Sequence, residues 1–203
     1  MALQRINTAF GPNPIRFNGN VQPQANANVF LGNVDYRFAT VYSTGHDVAG
    51  NIVPAANLVY NLGIPGRWWN TYYGVSTQAK YADLAENYRA DAQYEPGTVL
   101  EFGGTAEVTI AQDGTRAVAG VVSTNPAHLM NGGLVGTNVV IVALMGRVPC
   151  KVRGKISKGD MLISGGNGYA RPERNPLIGA VIGKALEDFD GVEGVIEIVV
   201  GRV

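Results

Sequence analysis

From residue 98 onward, short apolar runs alternate with Gly, Asp, Asn and Ser punctuation about every ten residues, a pattern that predicts a small β-barrel or sandwich. Residues 98–102 end at Gly103-Gly104. Residues 106–111 and 116–122 flank Asp113-Gly114, a pair that tolerates positive φ and so predicts a hairpin. Residues 139–144 form an unbroken apolar run, long enough for a buried strand and too short for a free helix. Residues 147–152 alternate, 157–160 supply a turn, and 161–164, 177–185 and 195–200 complete the set.

Upstream the pattern changes. Tyr81, Leu84, Ala85 and Tyr88 stand at helical spacing behind Ser76, a candidate N-cap, which predicts a short helix over 75–88. The same residues also alternate well enough to be extended. Residues 10–28 are rich in Pro, Asn, Gln and Gly with no sustained apolar period, so they are expected to be irregular or extended. Between them the chain repeats itself. Residues 31–42 align without gaps on 62–73 at an offset of 31, matching Leu31 with Leu62, Gly32 with Gly63, Phe38 with Trp69, Thr40 with Thr71 and Tyr42 with Tyr73.

Each copy reads as an aliphatic approach, a Gly-containing turn and an aromatic β-prone stretch, a hairpin-like unit. Two such units hold too few large apolar side chains for a core of their own. Stacking the same strip around a symmetry axis buries it without further chain, so a homo-oligomer is expected, a trimer in particular. Its interface would comprise Leu31, Tyr36, Phe38, Tyr42, Leu62, Trp68, Trp69 and Tyr73. The expected fold is mainly β: an extended arm (1–28), aromatic β-repeats (29–74), a linker with a possible short helix (75–93), and a C-terminal small β-barrel or sandwich (94–203).

Charge divides the chain at the same place. Residues 1–74 hold four basic residues (Arg5, Arg16, Arg37, Arg67), two acidic ones (Asp35, Asp47) and 11 of the 17 asparagines, and no lysine precedes Lys80. Over the whole chain 16 basic residues cancel 16 acidic ones, so no net field steers the protein onto nucleic acid or an anionic membrane. The 27 glycines lack a G-X-Y period, which excludes collagen, and 46% apolar content argues against global disorder. No apolar run is long enough to span a membrane and the N-terminus has no secretory pattern, so synthesis in a cytoplasm is expected.

Candidate chemistry is sparse. One cysteine, Cys150, excludes an intramolecular disulfide, and two histidines without a CxxC leave little for zinc. Lys151 beside Cys150 would lower a thiol pKa, whereas a buried structural thiol is the plainer reading. The glycines of 165–168 and 179–183 fit no phosphate loop and read as turns. Ser123 or Ser164 with His128 and Asp160 make a triad only on paper, because GxSxG is absent. Glu187, Asp188, Asp190 and Glu193 miss the calcium-loop spacing and read as a solvated acidic turn. Trp68, Trp69, Tyr72 and Tyr73 can stack on sugars, but their coincidence with the repeat favours packing. No catalytic, cofactor or metal residue is therefore assigned.

Several motifs in unbroken order carry a family resemblance. They are Leu62-Gly-x-x-x-x-Trp-x-x-x-Tyr-Tyr73, Ala79-Lys-Tyr-Ala-Asp-Leu-Ala-Glu-Asn-Tyr88, Gly146-Arg-Val-Pro-Cys-Lys-Val152, Lys158-Gly-Asp-Met-Leu162 and Ile182-Gly-Lys-Ala-Leu-Glu-Asp188. The chain over 29–203 resembles the distal part of bacteriophage tail-fibre and related virion proteins, most strongly fibres of cyanobacterial and T4-like contractile-tailed phages. The resemblance implies a non-enzymatic virion component whose knob serves host attachment or assembly; residues 1–28 fall outside it and are expected to dock onto other virion proteins, and direct recognition of host glycans through Trp68, Trp69, Tyr72 and Tyr73 is a rival reading. Part of the pattern is also similar to the self-cleaving chaperone domain of some phage appendages. That similarity would make Ser76 a nucleophile beside Asp83 or Glu86. A neck, baseplate or capsid decoration subunit would share all of these features.

Overall fold

A computed structural model describes residues 81–201 without a break and, upstream, residues 41, 43–46, 48, 51–56, 58–71 and 73. The arm 1–28, the first aromatic copy with Leu31, Tyr36, Phe38 and Tyr42, and Ser76 lie outside the described residues. The chain divides into two units, Met1–Asn70 and Thr71–Val203.

The second unit is built from ten strands and, among the described residues, no helix. They are β1 (Asp83–Arg89), β2 (Val99–Phe102), β3 (Val108–Ile110), β4 (Val118–Val122), β5 (His128–Met130), β6 (Val139–Arg153), β7 (Met161–Ser164), β8 (Ala170–Pro172), β9 (Val181–Ala185) and β10 (Glu193–Val200). Five of them close a barrel: β6 pairs β10, β10 pairs β9, β9 pairs β7, β7 pairs β8, and β8 returns to β6 through Val152 and Ala170. The small β-barrel expected for the C-terminal part is present.

β6 organises the unit. Residues 147–153 pair with β10 as a barrel strand, whereas residues before Gly146 run between β1 on one side and β4 on the other. The pattern of 139–144 and 147–152 suggested two strands; they are one, turned at Gly146, whose φ of +103° suits glycine. A Cβ there would collide with the Ala82 carbonyl oxygen. Pro149 sits within β6 at no cost to the β10 ladder. The Lys151 N–H donates to the Gly97 carbonyl at 2.8 Å, on the side away from β10, and residue 149 has the same parity, so the missing donor faces that side too.

Alternation fills the barrel. Val148, Cys150, Val152, Leu162, Ile182, Ile196, Ile198 and Val200 point inward and are buried, while Arg147, Lys151 and Glu197 between them carry surface ion pairs. A second core of Ala90, Leu100, Val108, Ala119, Val122, Val140 and Val142 lies beyond. Val99, Val121 and Ala143 belong to the first core, whereas their neighbours Leu100, Val122 and Val142 belong to the second. β2, β4 and the first half of β6 therefore form a wall between two cores, which is why these stretches read as continuous apolar runs rather than alternating ones.

Two expectations are corrected. The helix over 75–88 is not formed in its described part: Asp83–Arg89 is β1, held between antiparallel β6 and parallel β5. Strand geometry places Asp83, Ala85 and Asn87 on the buried face, where Asn87 and Asn131 exchange side-chain amide to backbone carbonyl bonds, both of 3.1 Å. Helical spacing was outweighed by pairing on both edges, a tertiary gain that local pattern does not contain. β1 thereby places Asp83–Arg89 within the β sheet. Asp113-Gly114 does turn the chain, with Thr115 N–H donating to Gln112 O at 3.3 Å, but β3 and β4 do not pair with each other. Each pairs with β2, which lies between them.

Candidate functional site

The described aromatic segment begins with a tight turn. Arg67 N–H donates to Ile64 O at 3.0 Å and Ile64 N–H to Arg67 O at 3.4 Å across Pro65-Gly66. Proline fixes φ at the first central position and Gly66 takes φ +79° at the second, the type II arrangement. The Gly-containing turn of the second repeat thus forms, and Trp69 folds back over Gly63, where a Cβ would sit 3.5 Å from its Cδ1. The residues after the turn make no strand ladder among the described residues. Within the single chain, Trp68 (70%), Trp69 (68%), Leu62 (74%) and Tyr73 (94%) stand largely in solvent. These are the described members of the expected interface.

A different cluster forms where the chain joins the β domain. Ser123, at the end of β4, donates its hydroxyl to Asp83 Oδ2 at 2.6 Å, and both residues are buried. The backbone around Asp83 is held as well: Ala127 N–H donates to Asp83 O at 2.8 Å and Arg147 N–H to Ala82 O at 3.3 Å. Beside the pair a pocket of about 330 Å³ is lined by Tyr81, Asn125, Arg147, Pro149 and Glu197. Glu86, the other carboxylate considered with Ser76, accepts instead from the Tyr88 hydroxyl at 2.9 Å. Ser123 and Asp83 are 40 residues apart, and no spacing rule in the sequence joins them.

The paper triad is dispersed. Asp160 accepts from Ser157 N–H at 2.8 Å within its turn, Ser164 accepts from Gly166 N–H at 3.2 Å, and His128 is exposed on β5. The carboxylates of 187–193 also go separate ways. Asp188 accepts from Lys158 N–H at 2.8 Å, Asp190 faces Lys155 at 4.0 Å, and Glu193 pairs with Arg153 at 3.4 Å. Among the described residues no three His, Cys, Asp or Glu side chains converge as a metal site would require. Cys150 points into the barrel and Lys151 out of it to Glu95 at 3.1 Å; burial pushes the thiol up to about 12, so a reactive thiolate is not formed near neutral pH. Residues 165–168 form the β7–β8 turn, closed by Gly165 N–H to Tyr169 O at 2.7 Å.

A feature the sequence did not signal is an apolar crevice of about 400 Å³, where β4 parts from β9 and β10. Phe102, Val118, Leu144, Ile178, Val181 and Val200 line it, contributed by residues scattered over a hundred positions. Its rim is fixed: Arg116 donates from Nε to the Ile178 carbonyl at 2.8 Å, and Gly179, at φ +88°, packs against the Arg116 carbonyl.

No protein-family model and no curated protein matches the chain. Among solved structures it is similar to the head fiber gp8.5 N base in bacteriophage phi29, at 18% identity and a TM-score of 0.39, over 59% of this chain and 94% of that one.

Proposed function

We propose that this chain is a structural, non-enzymatic subunit of a phage virion, a short fibre- or spike-like appendage that assembles as a homotrimer through its aromatic repeat and displays the β domain. The observation that carries the reading is the exposure of Leu62, Trp68 and Trp69, in a segment almost without charge, on a chain whose other unit buries its own core. A soluble protein does not leave such a strip in water, so identical copies cover it. The order of fibre-like motifs over 29–203 supports the virion setting. Three copies on one axis give multivalent display at a repetitive host surface without strong single-site affinity. Residues 1–28 serve as the arm that docks onto other virion proteins.

Sedimentation equilibrium of the full chain is expected to give three times 21.5 kDa. A stable monomer would overturn the reading. Negative-stain images of virions carrying a label on the β domain then locate the subunit, and density confined to the neck, baseplate or capsid lattice would replace the fibre with a decoration role.

One observation favours a second reading, a self-cleaving assembly chaperone. The hydroxyl held against Asp83 is that of Ser123, beside the point at which the chain enters the domain. Intact-mass analysis distinguishes the two. The structural reading expects one 21.5 kDa species from the native chain and from Ser123→Ala alike. A fragment in the native sample that disappears in the variant would establish cleavage.

A further inference from the structure

The crevice beside β4 differs from ordinary surface apolarity in two ways. It is contiguous, lined by Phe102, Val118, Leu144, Val181 and Val200 where β4 parts from β9 and β10. It also carries its own knob. The tip Leu177–Ile178 stands on the rim with Leu177 at 64% and Ile178 at 88% exposure, and the Arg116 bond and Gly179 contact hold it in place. Among the described residues Arg116 is the one charged residue lining the crevice, and its Nε is already committed to the Ile178 carbonyl. The surface suits an uncharged apolar guest.

We infer that the guest is the Leu177–Ile178 tip of a second copy of this chain, so that neighbouring β domains interlock around the oligomer axis. The argument is one of size. A free partner needs roughly 800 Å² of its own surface buried to bind stably, and a handful of side chains around a 400 Å³ crevice offers far less. Such a contact is occupied only when the guest is already held nearby, and a copy tethered through the aromatic repeat is present at an effective concentration on the order of millimolar. Knob and crevice on the same molecule make a head-to-tail contact, which closes as a ring when the rotation is right. The inference rests on the oligomer proposed above.

Thiol trapping in the full chain tests it. Cys150 is buried and does not compete, so Ile178→Cys introduces the accessible thiol, and Val192→Cys, at a position 85% exposed and away from the crevice, is the control. Mild oxidation is expected to link Ile178→Cys chains into covalent dimers about tenfold faster than Val192→Cys chains. Equal rates, in protein that sedimentation shows to be trimeric, would overturn the interlock and leave the trimer standing. A monomer would overturn both. A double variant, Ile178→Cys with Leu144→Asp, should lose the trapping while remaining trimeric; if trapping persists, the crevice does not receive the tip.

Discussion

Residues 58–71 and 139–153 are both rich in large apolar side chains, yet one stretch stands in solvent and the other forms the wall and barrel of a double core. Composition does not separate them; partners do. β6 meets β1, β4, β8 and β10 within its own chain, so its backbone groups and its apolar faces are both satisfied. The aromatic segment has one turn of two hydrogen bonds and no ladder among the described residues. A large side chain is therefore part of a core in the β domain and, in the oligomer proposed above, part of an interface in the repeat.

The sharpest break of this contrast truncates one apolar residue in each region. Leu162→Ala opens a cavity in the barrel and is expected to cost about 2–5 kcal/mol, read as a lower denaturation midpoint at unchanged slope, with the oligomer intact below the transition. Trp69→Ala should do the opposite, leaving the unfolding of the β domain within about 0.5 kcal/mol while dissociating the proposed trimer in sedimentation. If Trp69→Ala destabilised the domain as Leu162→Ala does, or left the trimer untouched, the division of roles would fail.

The same contrast governs what the sequence made legible. The barrel strand of 147–152 was readable because its alternation reports a sheet with one wet face. The two-sided wall was readable only as apolar runs, since Val99 and Leu100, or Val142 and Ala143, serve opposite cores. Pairing was not readable: Asp113-Gly114 marks a turn but cannot say that β2 enters between β3 and β4. Nor were the Asp83–Ser123 pair and the crevice, because both assemble residues from distant strands. β1 shows why local period misleads, since its helical spacing coexists with alternation until β5 and β6 supply partners on both edges.

A smaller effect probes the joint at which the chain enters the domain. Ser123→Ala leaves the buried Asp83 carboxylate without the donor at 2.6 Å and is expected to cost about 1–3 kcal/mol. Replacing the pair together, Asp83→Leu with Ser123→Val, should recover most of that loss, since two apolar groups of similar shape leave no orphaned acceptor. A Ser123→Ala midpoint equal to the native one would show that solvent already satisfies Asp83.

The smallest effect lies on the outer face of the second core, where the Tyr94 hydroxyl donates to Asp91 at 2.6 Å and Thr109 donates to the same carboxylate at 2.7 Å. The Tyr94 bond, followed by that of Thr109, lowers the Asp91 pKa, while desolvation and then the Asp91 bond raise that of Tyr94. The signs are opposite at the two ends of the pH scale. Asp91 contributes stability that is present above its unfolded pKa near 4 and is lost as pH falls through its lower folded value. Tyr94 contributes stability that is present below its unfolded pKa near 10 and is lost as pH rises through its higher folded value. Tyr94→Phe removes the Tyr94 contribution and the largest cause of the Asp91 one, leaving the Thr109 bond, so its denaturation midpoint should be lower than the native one at neutral pH and vary less with pH in acid and in alkali. Parallel pH profiles for the two proteins would show that this bond, unlike the Asp83–Ser123 pair, is too exposed to matter.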